Sequence, residues 1–304
     1  VSTTYVAAAS VPEALEALAG DPDAHVVAGG TDLVVGTRNG KREMPASLVA
    51  IHRLEELDGV DVDAEGGLTL GALVNHATLE RSPVVRERWT AISDGSALIG
   101  SPATRHVGTL GGNLANGSPA MDTGAPLAVL GASVTLRSLG GERTLAIDDL
   151  FVGPGRTALE RGELLTAVTV PAPGARAGSA YVRLEYRRSM EIAVIGAAAL
   201  VELDDVGAVR CVRVALSAVA PTIVRAAAVE EALAGAEPTP AALAAAAALA
   251  TEAAVPISDL RASREYRLAL IPTIARRALA AAVDRARGRD VPVPATRYAA
   301  EGSR

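Results

Sequence analysis

Two pairs of adjacent glycines constrain this 304-residue chain more than any other feature: Gly29-Gly30 in "VVAGGTDL" and Gly111-Gly112 in "TLGGNLANGSPAMD". The first pair ends a short apolar strand and opens a helix-like stretch at Thr31 or Asp32. The second lies in a loop between a helical stretch, "PVVRERWTAISDGSALIG", and a short helix over "TGAPLAVLGA". Paired glycines let a backbone approach a ligand with no Cβ in the way, and helix-opening amides point at anions. Thr31 adds a hydroxyl to the first loop. Around the second, Thr109, Asn113, Asn116, Ser118 and Asp122 supply donors and acceptors, and Pro119 stiffens the turn. Alone, "AGGTDL" also fits a plain strand-to-helix turn, and no G-x-G-x-x-G fingerprint is present. Two such loops in neighbouring α/β units can clamp a pyrophosphate between them, and the pairing is far more specific than either loop.

Composition removes most rival classes. Hydrophobic residues make up 49% and aromatics 2%, so the core is built of small side chains in closely packed helices. No run offers the ~20 long apolar residues of a spanning helix; the nearest, "PTPAALAAAAALATEAA", carries Pro and Glu. The first residues, "VSTTYVAAASVPEAL", lack the basic region of a signal peptide, so the expected location is cytoplasmic. With the single Cys211 and scattered His25, His52, His76 and His106, no metal site held by this chain alone is expected. A net charge of −6 and the scarcity of aromatics argue against nucleic acid.

Along the chain, Ser10 caps a helix over "VPEALEALAG", and strands follow in "HVVAGG" and "SLVAI", giving a small α/β unit over residues 1–57. A second unit, residues 58–173, holds the strand "GLTLGALVN", the hairpin "SVTLRS"/"RTLAI" and the strand "ELLTAVTVP". After the link "PAPGARAGS" the pattern changes to three strands and three helical segments, an α+β domain over residues 178–288. The tail, 289–304, is Pro-rich and polar, either disordered or wrapped on a partner.

Four stretches carry a family resemblance. "VVAGGTDL" and "TLGGNLANGSPAMD" resemble the two FAD-binding signatures of the flavin subunits of molybdenum hydroxylases. That family includes the medium subunit of aerobic carbon monoxide dehydrogenase and the flavin domain of xanthine dehydrogenase. "YRRSMEIAVIGAAA", residues 186–199, is similar to the family's Arg-Arg-x-x-acid-hydrophobic-Ala strand, and "SDLRASREYRLALIPTIARRAL" resembles its DLR-x-S-x-EYR helix. The matches span nearly the whole chain in the family's order. The resemblance implies an α+β protein: a two-part FAD-binding domain of the vanillyl-alcohol-oxidase (PCMH) type, then an α+β domain of antiparallel sheet and helices. It places Ala28, Gly29, Gly30, Thr31 and Asp32 on the first phosphate loop, with Val27 entering it. Thr109, Gly112, Asn113, Asn116 and Asp122 correspond to the second, and Leu165 and Arg183 fall near flavin-touching positions. Two departures stand out. The acid of the third motif is Glu191 where Asp is usual. The next position, a flavin contact by the same resemblance, is Ile192, as in xanthine dehydrogenases, where the carbon monoxide dehydrogenase type has Tyr. An aliphatic side chain does not stack on a flavin, so carbon monoxide is not the expected substrate.

The function so implied is an FAD-binding electron-transfer subunit, inactive on substrate alone. Its expected partners are a large molybdopterin subunit and a small subunit with two [2Fe-2S] clusters, in a dimer of heterotrimers. Electrons would pass through FAD to an external acceptor, and no residue here is expected to act as a catalytic acid or base. A self-contained FAD-dependent oxidase would need a substrate pocket richer in aromatic and polar residues than one Phe and one Trp allow. A flavin-free scaffold is disfavoured by the intact glycines. Arg187 and Arg188 meet an anionic cofactor or form edge charges, His106 reads as a structural cap, and Trp89 as a core anchor.

Overall fold

The structure, a computed structural model, describes residues 3–298. Its first sheet is parallel, ordered β1-β3-β2, from β1 (Thr4–Ala7), β2 (Ala24–Val27) and β3 (Ser47–Ala50). β3 lies in the middle with all four residues buried, as the apolar run "SLVA" requires of a parallel strand flanked on both sides. α1 (Val11–Gly20) links β1 to β2. Ser10 accepts from the Glu13 amide, Pro12 sits in the first turn, and Val11, Ala14, Leu15 and Leu18 form the buried face. α2 (Thr31–Arg38) links β2 to β3 and buries only Gly36.

The second sheet is antiparallel, ordered β4-β5-β10-β6-β7. It comprises β4 (Val60–Val62), β5 (Leu68–Gly71), the hairpin β6 (Ser133–Ser138) and β7 (Gly141–Ala146), and β10 (Leu164–Val170). Between β5 and β6 run α3 (His76–Arg81), α4 (Pro83–Arg88), α5 (Thr90–Leu98), α6 (Pro102–Arg105), α7 (Leu110–Asn116) and α8 (Gly124–Leu130). The helical stretch expected over residues 83–100 is two helices, broken at Trp89, whose φ of −119° interrupts the run. Trp89 is fully buried and its indole N–H donates to the Pro171 carbonyl at 3.0 Å, so it anchors this core. α9 (Ile147–Leu150) and the small ribbon β8 (Phe151–Gly153) with β9 (Arg156–Thr157) precede β10.

The third sheet is an antiparallel meander: β11 (Ala177–Leu184), β12 (Ile195–Leu203), β13 (Val209–Ser217) and the short β14 (Val224–Arg225). The helices α10 (Ala227–Leu233), α11 (Pro240–Ala248) and α12 (Arg264–Ala286) follow. β12 alternates its burial between two cores. Ala197, Ala199 and Val201 join the helices of this domain, whereas Ala198 and Leu200 join Trp89 and Leu127 of the preceding unit. Both faces are covered, so the strand reads as a continuous apolar run and not as an alternation.

Two buried ion pairs cross this junction. Asp94 of α5, with no exposed surface, accepts from both Nη atoms of Arg285 of α12, at 2.6 and 3.0 Å. Asp122 accepts from Arg183 Nη1 of β11 at 2.7 Å and from the Tyr181 hydroxyl at 2.9 Å. The tail corrects the expectation of disorder or a partner's surface. As far as Tyr298 it packs on this chain: Val291 and Ala295 are buried, and the Ala295 N–H donates to Asp94 at 3.0 Å. Residues 299–304 lie outside the described residues.

Candidate functional site

The two glycine pairs meet. A Cβ on Gly29 would run into the Val107 carbonyl, so the β2–α2 turn lies directly against the segment leading into α7. Gly30 is the N-cap of α2 at a φ of 65°, a left-handed conformation that side chains resist. Having no side chain, Gly30 cannot cap the helix, and among the described residues no other side chain does so. The first turn of α2 therefore presents amides whose partners lie outside the helix, at its positive dipole end.

The second pair departs from expectation. "LGGNLAN" is not a loop but the helix α7, with Thr109 as N-cap. Its glycine amides are not bare. Gly111 N–H donates to the Ala72 carbonyl at 2.8 Å, and Gly112 N–H to Thr109 Oγ1 at 3.1 Å. Gly111 is pressed against Ala72, where a Cβ would lie 2.7 Å from the Ala72 Cβ. A Cβ on Gly112 would meet only Thr109 Oγ1, at 2.9 Å. Gly112 thus offers a vacant surface and not a donor.

Between these elements runs a cleft with about 1160 Å³ of empty space out to its open mouth. Val27, Ala28, Gly29, Gly30, Thr31 and Asp32 form one wall, and Thr109, Gly112, Asn113 and Asn116 another, with Leu165 of β10 beside them. Asn113 is held by the Thr123 hydroxyl, which donates to its Oδ1 at 2.6 Å.

Three residues carried over by resemblance are not on this wall. Asp122 and Arg183 pair in the buried junction, with Glu185 as a second carboxylate on Arg183 at 2.8 Å, because the third sheet lands on the segment that sequence alone leaves as a loop. Ile192 is exposed, on the connection from β11 to β12. That connection reaches the rim of the cleft, where Met190 N–H donates to the Gly100 carbonyl at 3.0 Å beside Thr104, a wall residue. Nearby, His106 Nδ1 pairs with the Pro102 carbonyl at 2.8 Å, within the α6 turn. Sequence reading also passed over Arg42, His76 and Glu163, which all line the cleft. Their signals are weak: Arg42 sits in the charged run Lys41-Arg42-Glu43, His76 is one of four scattered histidines, and Glu163 merely precedes the apolar strand that brings Leu164 and Leu165 to the cleft.

The wall's charges are few. Burial raises the Asp32 carboxyl above its ordinary range, and Arg42 opposes the rise. Burial and then the Arg105 charge push His76 down to about 4, so the ring is neutral at neutral pH. Glu163 is pulled down by its bond from Arg143, 2.6 Å away, and is already neutralised. Diphosphate chemistry fits this donor set: uncapped helix amides, a hydroxyl from Thr31, amide side chains, one arginine, and a glycine cradle that a Cβ would fill. Among the described residues, no group of three or more His, Cys, Asp or Glu is placed to hold a metal ion.

The Asp122 pair makes a measurable prediction. Burial outweighs the attraction of Arg183 and pushes this carboxyl up to about 6 from 3.8. The folded chain therefore holds an extra proton between these values. The stability it contributes is present below about pH 4 and is lost as pH rises through about 6. Asp122→Asn removes this dependence. The variant should gain on the parent chain, by at most about 3 kcal/mol, between pH 4 and 8. Urea midpoints at both pH values decide the matter, and a difference that stays constant with pH would refute it.

The comparisons agree with this geometry. Residues 1–173 match the family model described as "FAD binding domain in molybdopterin dehydrogenase", and residues 180–282 match "CO dehydrogenase flavoprotein C-terminal domain". The chain is 32% identical over 287 residues to the putative xanthine dehydrogenase FAD-binding subunit of Escherichia coli, covering 94% of this chain and 98% of that one. Among solved structures, it is similar to carbon monoxide dehydrogenase from Hydrogenophaga pseudoflava, with a TM-score of 0.89 at 34% identity, over 94% of this chain and 98% of the other. Quinoline 2-oxidoreductase from Pseudomonas putida gives 0.87 at 31%, over 94% and 98%. A fold match at this level over nearly the whole of both chains, together with the two family models in order, leaves one assignment: the chain belongs to the FAD-binding medium subunits of xanthine- and carbon monoxide-dehydrogenase-type molybdenum hydroxylases.

Proposed function

We propose that this chain holds FAD in the cleft between the α2 and α7 walls and relays electrons from a [2Fe-2S]-bearing small subunit to an external acceptor. The electrons originate at a molybdopterin on a large subunit, and the three chains assemble in the cytoplasm as a dimer of heterotrimers. The observation that carries the reading is the meeting of the two glycine pairs in one cleft, with the uncapped start of α2 facing it. When bound, FAD supplies the capacity to take up and hand on electrons; the chain's own residues bind, orient and shield it. Gly30, Thr31 and Asp32 would hold the diphosphate, with Val27, Ala28 and Gly29 shaping the turn. Thr109, Gly112, Asn113 and Asn116 would line the opposite side, and Leu165 would give an apolar contact. Asp122 and Arg183 would act from behind the wall, by fixing the third sheet against α8. Ile192 would approach the flavin only from the rim.

Purification with the neighbouring subunits tests the assembly. Iron, molybdenum and two further chains should accompany this one, and a flavoprotein that purifies alone and oxidises a heterocycle or aldehyde without metals would favour the self-contained oxidase instead. The attachment is expected to be non-covalent. The wall carries neither Cys nor Tyr, His76 is buried, and the exposed His25 has its Nδ1 against the Asp23 carbonyl at 2.9 Å. Acid precipitation should release all the yellow colour to the supernatant; a fluorescent pellet contradicts this.

A further inference from the structure

Gly36 is the one buried residue of α2, and its reason lies across the helix. A Cβ there would sit 2.7 Å from Arg42 Nε and 3.3 Å from Arg42 Cγ and Cδ. The arginine stem therefore lies flat along a track that only glycine leaves open. The turn that returns the chain over α2 is fixed by the backbone. Gly40 has a φ of 68°, and Lys41 N–H donates to the Gly36 carbonyl at 2.9 Å. From this track the guanidinium spans the cleft, and Nη2 donates to Asn116 Oδ1 on the far wall at 3.4 Å.

Among the described residues Arg42 is the only Lys or Arg on the cleft wall. Among the described residues its side chain makes one hydrogen bond, long and to a neutral amide, and no carboxylate forms an ion pair with it within 4 Å. Glu163, the other acid on the wall besides Asp32, is already taken by Arg143. A guanidinium led into a cleft by a dedicated groove, within the field of the Asp32 carboxylate but in contact with none, is a planar fork open to an anion.

We propose that Arg42 closes over the diphosphate of the bound cofactor, positioned by the Gly36 track and exchanging its bond to Asn116 for phosphate oxygens. This rests on the reading of the cleft as an FAD site. It adds a residue outside both glycine signatures, and it assigns Gly36 a role in binding although Gly36 touches no ligand.

The test titrates the full apo chain with FAD, ADP and riboflavin at low and high salt, with circular dichroism as a check on folding. Arg42→Gln should weaken FAD and ADP by about tenfold to a hundredfold, flatten their salt dependence, and leave riboflavin unchanged. Gly36→Ala keeps the charge but displaces the stem, so it should weaken FAD and ADP in the same direction by a smaller factor. Alanine strengthens a helix relative to glycine, so that loss would not come from a weakened α2. Arg42→Gln that binds FAD and ADP as tightly as the parent, with the same salt slope, overturns the proposal. Wild-type affinity in Gly36→Ala overturns the track. A parent chain that binds ADP but no FAD would sink the flavin reading while the ADP arm still decides on Arg42.

Discussion

Asp94→Ala should lower the free energy of unfolding by about 3–5 kcal/mol, the range for removing one partner of a buried ion pair. Among the described residues Asp94 is the only carboxylate in an ion pair with Arg285, and it accepts four hydrogen bonds: two from Arg285, one from the Tyr181 amide at 2.9 Å and one from the Ala295 amide at 3.0 Å. Alanine leaves the arginine buried without its counter-ion and both amides without an acceptor. Arg285 would keep its bonds to the carbonyls of Ser179, at 2.7 Å, and Pro292, at 3.1 Å. These moderate the loss but do not neutralise the charge. Because one carboxylate ties α5 to β11, α12 and the tail, the damage should spread: hydrogen exchange at Ala295 should rise together with the fall in the urea midpoint. A variant that loses under about 1 kcal/mol and keeps Ala295 protected would show that the third sheet docks by apolar burial alone. Asp94→Asn, which retains the shape and one acceptor, should fall between the two.

How much of this was legible in the sequence depended on whether a residue's partner lay nearby. α1 could be read from Ser10, Pro12 and the spacing of Val11, Ala14, Leu15 and Leu18, all of which act within one helix. The strand "IGAAALVEL" could be read because an apolar run suits a strand buried on both faces, although its division between two cores could not. The glycine pairs announced a cleft but not their separate duties. Gly111 is glycine because Ala72 comes up beneath it, Gly29 because Val107 does, and neither neighbour is close in sequence. The same distance hid Asp122. Its segment is polar and turn-rich and reads as a loop, yet a sheet from the last third of the chain buries it under Arg183 and Tyr181. Arg42 was hidden twice over, since its place depends on Gly36 behind it and on Asn116 across the cleft.

Gly112→Val should cost about a hundredfold or more in FAD affinity, equivalent to about 2.7 kcal/mol or above. The argument is steric, because the Gly112 amide is already given to Thr109 and no hydrogen bond to the ligand is removed. The Gly112 Cβ position has one neighbour, Thr109 Oγ1, and otherwise adjoins the cleft, so the two methyls of valine occupy ligand space. Helix propensity does not oppose the change, since valine is no worse than glycine in a helix interior. Crowding of Thr109 can weaken the cap, which is worth ~1 kcal/mol. Thr109→Ala measures that contribution alone and should retain far more flavin. Gly30→Val should also lose FAD, but with a folding defect from its φ of 65°, and Gly29→Ala should fail chiefly in folding, against the Val107 carbonyl. Gly140→Ala is the neutral control: it lies in the hairpin turn with only Ser138 Oγ near, at 3.5 Å. Flavin-to-protein ratios and melting temperatures of these variants separate the roles. Gly112→Val with a full complement of flavin would mean that the cofactor does not lie against α7, and the two-walled cleft would have to be abandoned as its site.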